Sequence, residues 1–167
     1  VLCCPGCGSQ SGLSVGRPAG PSWTVTSGDP RTGVGVTAAG KVTAGGTREP
    51  IGPVRFIGNR SSGKMGIAMA DSAYSRGAEV TLISTVEIER AYPVIVVETA
   101  QEMQEAVEAE FDSCDALVMT AAVADFRPLA VSSQKIKKTE SEDIVLELTK
   151  NPDIIDLLGR VKRKDQV

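Results

Sequence analysis

The residues whose chemistry is easiest to read lie between Gly45 and Gly66. Gly45-Gly46-Thr47-Arg48-Glu49-Pro50 is followed by Gly58-Asn59-Arg60-Ser61-Ser62-Gly63-Lys64-Met65-Gly66. Glycines let a backbone approach an anion closely, and Ser61 and Ser62 stand where they would cap a helix whose free N–H groups point at that anion. Arg48, Arg55, Arg60 and Lys64 add countercharge. The combination suits a nucleotide or a phosphorylated substrate. Narrower motifs fit less well. Gly58 to Met65 reads G-x-x-x-x-G-K-M, but a P-loop needs Ser or Thr after the lysine to hold magnesium, and its helix starts after the loop. The dinucleotide fingerprint G-x-G-x-x-G is absent, and the following strand ends in Ser84-Thr85 without an acidic residue for a ribose, which leaves a nicotinamide oxidoreductase as a distant alternative. A solvated charged loop is the bland alternative.

A second set of residues follows the apolar run Ala116-Leu117-Val118-Met119-Thr120. The small side chains of Ala121, Ala122 and Ala124 would let a flat base lie against backbone. Asp125 could accept a ribose hydroxyl or organise magnesium, or simply be a solvated strand exit. Lys135, Lys137 and Lys138 suit a triphosphate and equally suit an exposed loop. Asn151-Pro152-Asp153 reads as an N-cap, a first-turn proline and an acid that complements the helix dipole.

Other chemistries are closed off. The 167-residue chain contains no histidine, which removes Ser-His-Asp catalysis, a histidine base and histidine metal ligands together. A net charge of -3 argues against a generic nucleic-acid binder, and no apolar run is long enough to span a membrane, so a cytoplasmic enzyme is expected. Cys4-Pro5-Gly6-Cys7 has C-x-x-C spacing, but with Cys3 and the distant Cys114 it makes a poor closed zinc site; free thiols and no protein-held metal are expected.

These residues need a frame. Ile67, Ala70, Ala73 and Tyr74 share one helical face that stops at Arg76-Gly77, and Glu79 to Ser84 is an apolar strand. Val94 to Val97 reads as another strand. Thr99-Ala100-Gln101-Glu102 is a capping box opening a helix over 100 to 111. Ala116 to Thr120 reads as a fully buried strand, and residues 152 to 162 as a helix. Strands alternating with helices predict an α/β fold, three-layer and Rossmann-like, with a mostly parallel sheet whose ligands sit beyond the carboxyl ends of the strands. Residues 1–39 differ: rich in glycine and proline, with Arg17, Asp29 and Arg31 as their charged side chains, they read as a linker or disordered arm. Residues 40–167 form the folded domain.

Thr43 to Pro50, Pro53 to Ile57, Asn59 to Gly66, Ala121 to Phe126, Lys135 to Lys138 and Lys150 to Ile154 occur in the order seen in phosphopantothenate–cysteine ligase. The chain thus resembles the second domain of the bifunctional bacterial enzyme of coenzyme A synthesis, in the DNA/pantothenate metabolism flavoprotein family. The resemblance implies attack of the 4'-phosphopantothenate carboxylate on the α-phosphate of CTP, with Mg²⁺, to give an acyl-cytidylate and pyrophosphate. The amine of cysteine then displaces CMP. By similarity, Asn59 acts on the acyl-cytidylate and Lys135 steadies the triphosphate. Met119, Thr120, Ala121, Asp125 and Asn151, Pro152, Asp153 and Ile154 contact the nucleotide, while Arg55, Gly45, Gly46, Ser61, Ser62 and Gly63 serve the acyl substrate. The family implies a homodimer. Gly12 to Val25 faintly resemble the end of the decarboxylase domain that precedes the ligase. Against the family, the strand entering the first motif looks only about three residues, roughly 10 Å, long, and the sheet looks incomplete at its C-terminal end. A nucleotide-binding fragment without activity, or an interaction module using the glycine-rich arm, therefore remains open.

Overall fold

The computed structural model describes residues 38–136 and 144–167; the expectations for residues 1–37, including Cys3, Cys4 and Cys7, and for Lys137 and Lys138 fall outside the described residues. Four parallel strands form the central sheet in the order β5-β4-β1-β6: β1 (Ala39–Ala44), β4 (Glu79–Ser84), β5 (Val94–Val96) and β6 (Ala116–Met119). Helix α1 (Lys64–Ser75) covers one face and α2 (Ala100–Phe111) with α3 (Ile154–Val161) the other, so the predicted three layers are present.

Strand alternation sorts the core. Val42, Ala44, Val80 and Leu82 pack with Ala70 of α1 and with Tyr92, whereas Ile83 joins Met103, Val107 and Phe111 of α2 and Ile154 and Leu158 of α3. The same alternation turns Lys41 and Thr43 toward α2. Lys41 is buried there, its ammonium 2.5 Å from Glu110 and 3.0 Å from the Thr81 hydroxyl, because a charge removed from water needs paired partners. Cys114 is a buried free thiol, and burial pushes it above the usual thiol range.

Several local expectations need correction. The strand entering the first motif has six residues, not about three, since Ala39 and Gly40 already pair with β4 at Glu79 and Val80. It does not lead directly into α1. A hairpin of β2 (Arg48–Pro50) and β3 (Phe56–Gly58) intervenes, its five-residue connection carrying Gly52-Pro53. Ser61 and Ser62 do not cap α1: its N-cap is Gly63, in the left-handed region at φ 72°, with no side-chain cap. Thr99 and Glu102 do form the expected capping box on α2.

Helix α3 begins at Ile154 rather than 152, because Asp153, not Asn151, is its cap, accepting from the Asp156 N–H at 3.0 Å. Strand β6 ends at Met119 and is half-buried rather than fully buried, as an edge strand must be. On its outer side, among the described residues, Val167 bonds to it, donating to the Asp115 carbonyl and accepting from the Leu117 N–H. A second hairpin, β7 (Phe126–Pro128) with β8 (Leu148–Lys150), packs beside β2.

Candidate functional site

Connections leave β1 toward β4 on one side and arrive at β6 on the other, so the strand order reverses between β1 and β6. In an open parallel sheet the crevice outside the strand ends opens there. At that point the structure has a cleft of about 340 Å³, walled by residues 121–125 after β6, residues 150–155 at the start of α3, and Met119. Met119, Ala121, Asp125, Asn151, Pro152, Asp153 and Ile154, seven positions expected at a nucleotide, all line it. Thr120 does not. Its side chain turns inward to the Thr43 carbonyl, and its N–H donates to Thr43 Oγ1 at 3.1 Å.

The wall is almost entirely backbone and small side chains. The peptide groups are held from behind by the loop that follows β1. Thr43 Oγ1 accepts from the N–H groups of Thr120 and Ala121, the Gly45 carbonyl accepts from Ala122 N–H at 2.7 Å, and Thr47 donates its N–H to the Ala122 carbonyl. Among the described residues no hydrogen bond engages the Ala121 carbonyl or the Val123 N–H. One acceptor and one donor are thus left for a ligand. The Asp125 side chain is exposed at the rim, suited to hydroxyl groups. Sequence reasoning missed Thr43 and Thr47. The available signal was a β-branched polar residue on a strand and another just past its end, which on a buried strand demand internal partners.

The glycine-rich residues lie beside this wall. Gly45 has φ 91°, and a Cβ there would strike Thr85 Oγ1; a Cβ on Gly46 would come within 2.6 Å of the Asn59 carbonyl oxygen. Only glycine fits at either position. A Cβ on Gly63 would sit 3.2 Å from Gly45 N, so the uncapped N-terminus of α1 abuts the Gly45-Gly46 turn. Ser61 donates its N–H to the Asn59 carbonyl at 3.0 Å and thereby shapes the bend that presents Asn59; Ser62 is exposed. Asn59 bridges the two loops. Its Nδ2 donates to the Ala122 carbonyl at 3.4 Å and the Val123 carbonyl at 3.2 Å.

Two basic residues stand elsewhere. Arg55 lies at the tip of the β2–β3 hairpin, where Nη1 donates to the Ile136 carbonyl at 3.2 Å. Lys135 is the exposed neighbour of Ile136 and does not line the cleft. The structure therefore gathers Arg55 and Lys135 on one side and the nucleotide-type residues on the other. Asn151 is a buried brace rather than an open contact: Nδ2 donates to the Ala124 carbonyl at 2.8 Å and Oδ1 accepts from Arg127 at 2.9 Å.

Residues 39–167 match the family described as the DNA/pantothenate metabolism flavoprotein C-terminal domain. The chain is 48% identical over 130 residues to the coenzyme A biosynthesis bifunctional protein CoaBC of Mycobacterium tuberculosis, covering 75% of this chain and 31% of that protein. It is 52% identical over 118 residues to CoaBC of Vibrio parahaemolyticus, covering 68% of this chain and 30% of that protein. The chain spans about a third of the length of these curated relatives. Among solved structures, the C-terminal domain of a CoaBC protein superposes with a TM-score of 0.66 at 41% identity, over 78% of this chain and 61% of that one.

Proposed function

The chain belongs to the DNA/pantothenate metabolism flavoprotein C-terminal domain family, and on that footing we propose that it is a ligase joining 4'-phosphopantothenate to cysteine through an acyl-cytidylate. The observation that carries the proposal is the bridge made by Asn59, which ties the glycine-rich acyl side to a cleft whose backbone wall suits a base. The cleft takes the nucleoside of CTP. Ala121 offers its carbonyl and Val123 its N–H to the base edge, and Asp125 accepts a ribose hydroxyl. The triphosphate leaves the cleft toward Lys135, whose charge stabilises the α-phosphate and the departing pyrophosphate, and Arg55 beside it takes the phosphate or carboxylate of the acyl substrate. Among the described residues no group of three or more Asp, Glu, Cys or His could hold a metal ion. Mg²⁺ bound with CTP would take oxygen ligands and would supply further charge neutralisation to the phosphates.

In the first step a carboxylate oxygen of 4'-phosphopantothenate attacks the α-phosphorus and pyrophosphate leaves. In the second, the cysteine amine attacks the acyl carbonyl and CMP leaves. Asn59 releases one of its long bonds to the Ala122 and Val123 carbonyls and donates to the oxyanion, an interaction typically worth about 3 kcal/mol. Gly45, Gly46, Ser61, Ser62 and Gly63 shape the acyl pocket. The enzyme is cytosolic and dimeric; the dimer face is the apolar surface of the two hairpins, where Phe56, Phe126 and Leu148 are each about half exposed. A second reading, nucleotide binding without turnover, draws on the absence of Lys135 from the cleft lining.

The test is to incubate the chain with 4'-phosphopantothenate, CTP and Mg²⁺, add cysteine, and follow products by mass spectrometry. Phosphopantothenoylcysteine with CMP supports the ligase. CTP binding without pyrophosphate release selects the second reading, and no CTP binding refutes both.

A further inference from the structure

A binding wall made of backbone keeps its shape only if something behind it holds each peptide. The Ala124 peptide is gripped at both ends: Thr47 Oγ1 accepts from its N–H at 2.8 Å, and Asn151 Nδ2 donates to its carbonyl at 2.8 Å. Asn151 is oriented in turn by Arg127, whose Nη1 donates to Asn151 Oδ1 at 2.9 Å and to the Lys150 carbonyl at 3.0 Å. Thr47 is fully buried and its N–H also holds the Ala122 carbonyl at 3.2 Å. Neither Thr47 nor Arg127 lines the cleft.

Building on the ligase reading of this cleft, we propose that Thr47 and Arg127 are positioning residues for nucleoside recognition, fixing the Ala124 peptide from opposite sides. Thr47 does so directly. Arg127 does so by fixing which end of the Asn151 amide faces Ala124, since a guanidinium can only donate and therefore selects the oxygen end for itself. With the arginine gone, Asn151 Oδ1 loses its buried donor and the amide is held by the Ala124 carbonyl alone, so its donation there loosens. Residues 121–125 would then lose the spacing that a base edge requires.

Thr47→Val keeps the β-branched shape and volume but leaves the buried Ala124 N–H without an acceptor; Thr47→Ser restores the hydroxyl. Arg127→Gln removes the fork that orients Asn151. Affinity of the full chain for Mg²⁺–CTP is measured by isothermal titration calorimetry, well below the unfolding transition of each variant. We expect Kd to rise by at least about tenfold in Thr47→Val and Arg127→Gln, the scale of one lost buried hydrogen bond, and to stay within about threefold in Thr47→Ser. A merely structural role would lower the melting temperature without weakening the affinity of the folded protein. Thr47→Val and Arg127→Gln both binding within about threefold of wild type would overturn the positioning role while leaving the ligase reading intact. Should Thr47→Val fail to fold, Arg127→Gln decides alone. Wild type that binds no CTP removes the ligase reading, and the positioning role with it.

Discussion

Replacing Gly66 with alanine and, separately, Gly159 with alanine makes one chemical change in two helices and should move stability in opposite directions. A Cβ at Gly66 would meet Thr120 Oγ1, the Thr43 carbonyl oxygen at 2.6 Å and Ala44 Cβ at 2.7 Å. The last two belong to β1 and cannot move without the sheet, so α1 must lift. Overpacking costs about 1–3 kcal/mol, and three simultaneous contacts place this site at the upper end. Better helix propensity and a less flexible unfolded chain return no more than about 1 kcal/mol. The net loss is about 2 kcal/mol, which for a domain of this size lowers Tm by about 8 °C. Around Gly159 nothing lies within 4 Å and φ is not positive. Only the propensity gain operates there, so Gly159→Ala should raise stability by about 0.5–1 kcal/mol.

Urea titrations followed by circular dichroism would measure both changes with one slope m. Gly66→Ala as stable as wild type would refute the close seating of α1 on β1. Function supplies a second reading of the same lift. Gly63 abuts Gly45 at the N-terminus of α1, so raising the helix separates the two halves of the glycine-rich loop. Ligation by Gly66→Ala should therefore fall by more than its loss of folded protein accounts for.

Two further outcomes follow from buried charge and from a buried phenol. Glu110→Ala leaves the Lys41 ammonium with only the Thr81 hydroxyl and should cost about 2 kcal/mol in urea unfolding, whereas adding Lys41→Met should recover more than half of that; an additive double variant would contradict the pairing. Burial, and then the hydrogen bond it donates to Asp71 at 2.6 Å, pushes the Tyr92 hydroxyl up to about 12. A raised acid favours the protonated form in the folded chain, so below pH 10 this group adds no pH dependence, and between pH 10 and 12 the unfolded state loses its proton first and stability falls. Tyr92→Phe should flatten that decline, and an unchanged slope would refute it. Asp71 is held below the usual carboxylate range by the same bond and by Arg90, so its contribution is present above the ordinary aspartate range and is lost as pH falls.

The elements with strong local signals were legible in the sequence. The capping box at Thr99 and Glu102 and the strand at Glu79 to Ser84 fall where their patterns put them. The strand end before Ala121 was also legible, and its loop lines the cleft; Asn151 was not, since local pattern made it a helix cap and only the family resemblance put it at a nucleotide. The β2–β3 hairpin was not legible: Pro50, Gly52 and Pro53 look like generic loop, and its ladder is set by tertiary contact, with Arg48 N–H on the Glu98 carbonyl and the buried Glu49 carboxylate accepting from Ala100 N–H at the start of α2. The serine cap failed for a related reason. Gly63 takes the left-handed conformation that brings α1 against Gly45, and a serine cannot hold that conformation cheaply. Glycines that read as anion-binding divide into two kinds. Gly58 and Gly66 permit close packing against Thr47 and Thr43, and Gly45, Gly46 and Gly63 shape the loop beside Asn59.

The absence of histidine has a kinetic consequence if the proposed ligation is correct. Activation of the carboxylate needs no general acid or base, since a carboxylate already carries its lone pairs and pyrophosphate is a leaving group that departs as an anion. Amide formation requires the cysteine ammonium to shed a proton, and among the described residues the carboxylates that line the cleft are those of Asp125 and Asp153. No enzyme group of histidine type exists to titrate between pH 6 and 8. The logarithm of the amide-step rate, measured in single-turnover experiments from preformed acyl-cytidylate, should therefore climb with pH from 6 to 9 with slope no greater than one and no bell. It should level only where the substrate amine itself becomes neutral. A bell-shaped profile with a limb near neutrality would reveal a titrating catalytic group that this chain does not contain, and would mean that the acyl transfer is completed by residues outside it.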